Sequence, residues 1–136
     1  AAIGADDTVD AATIDVSAAI REATGGRGAA GSFETSGSPR GQRDAIHCLA
    51  PKGRAVYVGL SPGEPTLSPE MIIHREITLF GSKVLPGPAV LELCRFLSET
   101  GIHFDRLVTH SYPLAEGARA FREFEAGGAG KYVLTA

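Results

Sequence analysis

The side chains best equipped for metal chemistry in this chain are Cys48, Cys94, His47, His74, His103 and His110. Zinc sites gather such donors in closely spaced pairs, so that a single turn presents two of them. Here the spacing shows no such pattern, and no metal site is predicted. With only two cysteines and no secretion signal, both thiols are expected to be reduced and buried, in a cytoplasmic protein. A different chemistry is suggested where three apolar runs end in small residues: Thr35-Ser36-Gly37, Val58-Gly59-Leu60 and Gly81-Ser82-Lys83. Missing side chains let a flat ligand come close to the backbone. In open α/β sheets, ligands sit at such carboxyl ends of strands. The competing reading is that these glycines only terminate strands. Glu34, just ahead of the first triplet, is expected to close its strand as a hydrogen-bonded carboxylate.

Bringing three strand ends together takes a parallel sheet with helical crossovers, and the chain has that rhythm. "TIDVSAAIREATGG" places Ile14, Val16, Ala19, Ile20 and Ala23 largely on one helical face and stops at Gly25-Gly26. "AAGSFE" reads as a short strand. Ser38 as N-cap and Pro39 in the first turn open a helix through Ala45, Ile46, Cys48 and Leu49, ended by Pro51 and Gly53. "RAVYVGL" reads as a strand apolar enough for burial on both faces. After the loop "SPGEPTLSPE", "MIIHREITLFGS" reads as another strand and "GPAVLELCRFLSETG" as a helix capped by Gly101. "FDRLVTHSYP" reads as extended, "LAEGARAFREFEAGG" as a helix and "KYVLTA" as a closing strand. This alternation predicts the α/β class, with a parallel sheet covered by helices.

At 136 residues the chain can bury the core of one domain. Hydrophobic residues at 43% and charged residues at 21% are an ordinary globular balance. A formal net charge of −3 and a pI near 5.8 leave no basic footprint for nucleic acid or an anionic membrane. No run reaches the roughly 18 apolar residues that a membrane-spanning helix requires. The opening "AAIGADDTVD" lacks a basic leader region, so no signal peptide is expected.

Four stretches carry a resemblance: "TGGRGAAGSFETSGSP", "CLAPKGRAVYVGL", "SPEMIIHREITLFGS" and "LVTHSYPLAEGARAFREFEAGGAGKYVL". In their order and spacing they resemble the C-terminal part of the zinc-type, medium-chain alcohol and polyol dehydrogenases. The resemblance runs from Gly4-Ala5-Asp6 to the last strand. It implies a partial Rossmann-like parallel sheet with flanking helices, in three layers. Residues 1–84 would be the second half of a dinucleotide-binding domain, and residues 85–136 a segment returning toward a catalytic domain. Ser36, Gly37, Val58, Gly59, Leu60, Ser82, Lys83 and Val84 would line the nicotinamide half of the groove, where backbone groups hold the carboxamide. Lys131 would reach the cofactor pyrophosphate. The implied cofactor is NAD or NADP, the implied substrate a small alcohol. Zinc ligands belong to the family's N-terminal domain, and the resemblance places no catalytic residue among these 136. His110 matches a packing position. A homodimer or higher homo-oligomer is implied, because family members join the strand matching "EITLFG" to its two-fold mate. Leu67, Met71, Ile72 and Ile73 offer further apolar surface for association.

The departures from the family matter as much. No Gly-x-Gly-x-x-Gly turn stands between a strand and a helix here, where it would seat a pyrophosphate on the helix N-terminus; the same spacing at Gly26–Gly31 follows a helix and leads into a strand. "GGRG" and "GGAG" each follow a helix and read as C-caps. Where the family has an aspartate at position 30 and β-branched residues at 31 and 32, this chain has Ala30, Gly31 and Ser32. The last two give up roughly 1 to 2 kcal/mol of packing and strand propensity. That places the strand toward a sheet edge or points to relaxed selection. Two functions remain: the cofactor-domain segment of an NAD(P)-dependent alcohol or polyol dehydrogenase, or a truncated, catalytically inactive dehydrogenase-like binding or assembly module.

Overall fold

Capping chemistry decides where most elements begin in the computed structural model, which describes residues 4–60, 67–83, 86–127 and 130–136. Asp15 opens α1 (Val16–Ala23) by accepting from Ala18 N at 3.0 Å. β1 (Ala29–Glu34) occupies the stretch predicted for it. Ser38 Oγ accepts from Gly41 N at 3.0 Å to open α2 (Pro39–His47), with Pro39 at its first turn as the sequence predicts. The helix stops sooner than expected, because β2 (Leu49–Tyr57) begins at Leu49 rather than Arg54. Leu49 pairs with Ala29, and a register shift between Ala29 and Gly31 absorbs the intervening residues.

The expected strand "MIIHREITLFGS" is two elements. Ser68 Oγ accepts from Met71 N, and Pro69 follows the cap, so α3 (Pro69–His74) forms despite its β-branched residues. Only β3 (Thr78–Gly81) is strand. α4 (Gly87–Thr100) ends at Gly101, whose φ of +66° makes the expected glycine cap. Phe104–Leu107 is a 3-10 turn rather than extended chain, and β4 (Val108–Pro113) follows it. A short turn leads into α5 (Gly117–Glu125), and β5 (Lys131–Thr135) closes the chain. Among the described residues no helix is long and apolar enough to cross a membrane.

The chain divides into two compact units, Asp7–Leu85 and Pro86–Ala136 with Ala1–Asp6. In the first, β1, β2 and β3 form a parallel sheet in that order, so β1 lies at an edge. Residues in register share a face. Ser32, Ala55 and Leu79 face α2: Ser32 Oγ donates to Ala45 O at 2.6 Å, and Ala55 is fully buried. The core on that side is Ile46, Leu49, Ala55 and Ile77, with Leu67, Met71 and Ile72 packed against it. Phe33, Val56 and Phe80 line up on the opposite face, where Phe33 is 76% and Phe80 48% exposed. Burial of β2 on both faces, expected from its apolar content, is therefore not what the fold provides. Nor do Leu67, Met71 and Ile72 stand free as expected; of that group only Ile73 is exposed.

The second unit is a β4–α5–β5 crossover whose two strands pair in parallel. Its α5 face buries Ala120. Tyr112 donates its hydroxyl to Glu123 Oε2, and Arg119 bridges Glu123 and Glu116 at 2.9 Å each. His110 stacks on Tyr132 at 4.1 Å, the packing role its sequence position implies.

Candidate functional site

The register sets Glu34, Tyr57 and Gly81 side by side, so the three small triplets leave the sheet together. Hydrogen bonds carry the alignment past the strands. Val58 N and Gly59 N donate to Glu34 O at 2.8 and 3.0 Å, and Ser82 N donates to Tyr57 O at 2.8 Å. The Glu34 side chain, 4% exposed, folds back over its own turn. It accepts from Ser36 N at 2.8 Å, from Ser36 Oγ at 2.5 Å and from Gly37 N at 3.0 Å. It is the hydrogen-bonded strand-closing carboxylate that the sequence predicts. Burial, then the Glu34 charge, pushes the Tyr57 phenol up to about 12, and its hydroxyl donates to Gln42 O.

The two glycines have a different use from the one their size first suggests. Gly37 sits at φ +70°, and a Cβ there would lie 2.5 Å from Leu60 O. A Cβ on Gly59 would lie 2.1 Å from Gly37 N. The space they clear is filled by the chain itself, where the β1 and β2 exit loops cross. Ser36, Val58, Leu60, Ser82 and Lys83 form the accessible rim, with Leu60 88% exposed. No hydrogen bond among the described residues reaches the Val58 carbonyl. Val84 lies outside the described residues. Lys131 starts β5 in the other unit, where it is exposed.

One residue escaped the sequence reading. A Cβ on Gly41 would meet Ser36 Oγ at 2.6 Å and Glu34 Oε1 at 2.9 Å, so the turn requires glycine in the first turn of α2. Its signal was the Ser38 cap three residues earlier. Among the described residues no cluster of histidine, cysteine and carboxylate groups could hold a metal ion, so the donors present do not fit zinc. Cys48 is buried, and that burial pushes its thiol above the ordinary value. Cys94, expected to be buried, is exposed on α4 because that helix buries none of its residues fully.

The zinc-binding dehydrogenase family matches residues 1–99. The chain belongs to that family. It is 31% identical to the sorbitol dehydrogenase of Halalkalibacterium halodurans over 98% of this chain and 39% of that protein. It is 28% identical to the L-threonine 3-dehydrogenase of Pyrococcus horikoshii, over 97% of this chain and 39% of that protein. Among solved structures, an alcohol dehydrogenase of Thermotoga maritima superimposes with a TM-score of 0.83 at 27% identity, over 98% of this chain and 38% of that one. This zinc-binding dehydrogenase chain thus spans about 39% of the length of the curated relatives it matches.

Proposed function

We propose that this chain is the cofactor-positioning segment of an NAD(P)-dependent, zinc-type alcohol or polyol dehydrogenase. The observation that carries the reading is the alignment of three small strand ends beside the Val58 carbonyl, which no hydrogen bond among the described residues engages. Such a rim fits a flat amide-bearing ring: a carboxamide N–H can donate to the Val58 carbonyl. Ser36, Gly37, Gly59, Leu60, Ser82, Lys83 and Val84 complete the proposed nicotinamide half of the groove. The nicotinamide, when bound, supplies the hydride acceptor. Glu34 supports the groove from behind by fixing the Ser36-Gly37 backbone. The assignment of Lys131 to the pyrophosphate rests on the family pattern alone, as do the zinc in a separate N-terminal domain and the division at residues 84 and 85. The two free cysteines fit a reducing, cytoplasmic compartment.

A second reading, an inactive binding or assembly module, draws support from the accessible Phe33–Val56–Phe80 row and the β1 edge. Assaying the full product of the gene for alcohol-dependent reduction of NAD or NADP separates the two. Turnover is expected, and its absence from a folded product favours the module. These 136 residues alone should bind NADH no more tightly than millimolar, because they hold no phosphate-binding turn. A fluorescence titration giving a micromolar constant would overturn the half-groove assignment.

A further inference from the structure

We propose that the cleft between α1 and α2 is a binding site for a phosphoryl group, separate from the strand-end groove. The cleft, about 580 Å³ in volume, is walled by residues 12–17 with Arg21 on one side and by Arg40, Arg43, Asp44 and His47 on the other. Positions 40, 43, 44 and 47 follow helical spacing, so α2 presents them as one face. None of Ser36, Gly37, Val58, Gly59 or Leu60 lines it.

Charge favours an anion there. Asp44 lies 3.5 Å from Arg40 and 3.7 Å from Arg43, while Arg21 has no ion pair among the described residues. Asp15 is engaged in capping α1; the Ala18 N–H, ahead of Arg21 and Arg40, holds its carboxyl below the ordinary value. Three permanent cations therefore face two carboxylates that are already occupied. Arg40 Nη2 reaches Ile14 O and Arg21 Nη1 reaches His47 O, each at 3.4 Å. Bonds of that length are weak, so most of the guanidinium donor capacity stays available. A guanidinium fork matches paired phosphate oxygens, and the positive end of α1 adds to the field.

Ser17 provides an independent sign. It lines the cleft, is 7% exposed, and no hydrogen bond among the described residues engages its Oγ. Its hydroxyl opens on the cleft rather than being sealed from water, and it can donate to a phosphoryl oxygen there. The volume also leaves room for a carbon skeleton attached to the phosphate.

The test is an amide NMR titration of the isotope-labelled 136-residue chain with inorganic phosphate, against sodium chloride at matched ionic strength. Saturable shifts at Ser17, Arg21 and Arg40 to Asp44, absent with chloride, are expected. Replacing both Arg40 and Arg43 by glutamine should weaken binding about tenfold. Asp44→Asn should instead tighten it, because it releases both arginines; a merely structural aspartate would not do this. Glycerol phosphate binding more tightly than inorganic phosphate assigns the site to phosphate monoesters, and equal binding assigns it to free phosphate. Shifts matched by chloride, shifts that do not saturate, or weaker binding in a folded Asp44→Asn variant each overturn the proposal.

Discussion

The two units of this chain are stabilised in different ways. Asp7–Leu85 has an apolar core, in which Ile46 and Ala55 are fully buried and Leu49 nearly so. The β4–α5–β5 crossover buries only Ala120 among its described apolar residues and is tied instead by Tyr112, Glu123, Arg119 and Glu116. Its large apolar side chains Phe121 and Phe124, like Leu91 and Phe96 on α4 of the same unit, stand more than half exposed. Burial of apolar area dominates folding free energy, whereas exposed polar pairs contribute little. The first unit therefore carries its own stability, and the second presents surface of the kind that partners cover.

The strongest way to break that contrast is a truncation on each side of it. Ile46→Ala should lower stability by about 2–5 kcal/mol, because it opens a cavity under β2. Phe121→Ala should change little by the same denaturant measurement, since its ring is already in solvent. Equal losses would mean the second unit has a hidden core.

Association sharpens the comparison next. The Phe33–Val56–Phe80 row and the β1 edge give the well-cored unit one unfinished face. We expect sedimentation at micromolar concentration to show a species near twice the 14.1 kDa chain mass. Phe33→Lys combined with Phe80→Lys should return it to monomer with an unchanged circular dichroism spectrum. A folded wild-type monomer at high concentration would sink the expectation.

Much of this was legible in the sequence because caps are local. Ser38-Pro39 and Gly101 marked element boundaries from side-chain chemistry alone. The errors arose where tertiary context decided. Met71 and Ile72 are β-branched or flexible residues that read as strand, yet Ser68-Pro69 starts a helix there and the core accepts them. The strand-end rim was visible as three small triplets, but not the reason for its glycines. Gly37 and Gly59 are set by the crossing of two loops, a contact between residues far apart in sequence. Gly41 went unnoticed although its neighbours Glu34, Ser36 and Ser38 are local, because its need for glycine comes from the folded-back Glu34 and Ser36 side chains.

A smaller effect should follow from Glu34→Gln. With the amide oxygen in the Oε1 place the three donors stay bonded, but the amide nitrogen, in the Oε2 place, would set its N–H groups against Gly37 N at 3.0 Å in a buried turn. That should cost about 1–3 kcal/mol. Amide hydrogen exchange should quicken at Ser36 and Gly37 while Leu49 and Ala55 keep their protection. Uniform acceleration would show that the turn is part of the core rather than a support for the rim.

The smallest effect is the most specific to the polar unit. The hydrogen bond from Tyr112, then that from Arg119, holds the Glu123 carboxyl below its ordinary 4.5. The same bond to Glu123 comes first among the causes that raise the Tyr112 phenol above its ordinary 10.0. A lowered acid stabilises fully above 4.5 and loses its contribution as pH falls through the folded value. A raised phenol stabilises fully below 10.0 and loses its contribution as pH rises through the folded value. The difference in Tm between wild type and Tyr112→Phe should therefore be level through the neutral range and shrink beyond both limits. Tyr57 gives the comparison within the same molecule, since burial rather than an exposed carboxylate pushes its phenol up to about 12. In an ultraviolet titration, Tyr57→Phe should remove a phenolate that forms near pH 12. A Tyr112→Phe difference that persists undiminished in acid would mean that the Glu123 carboxylate does not hold this unit together.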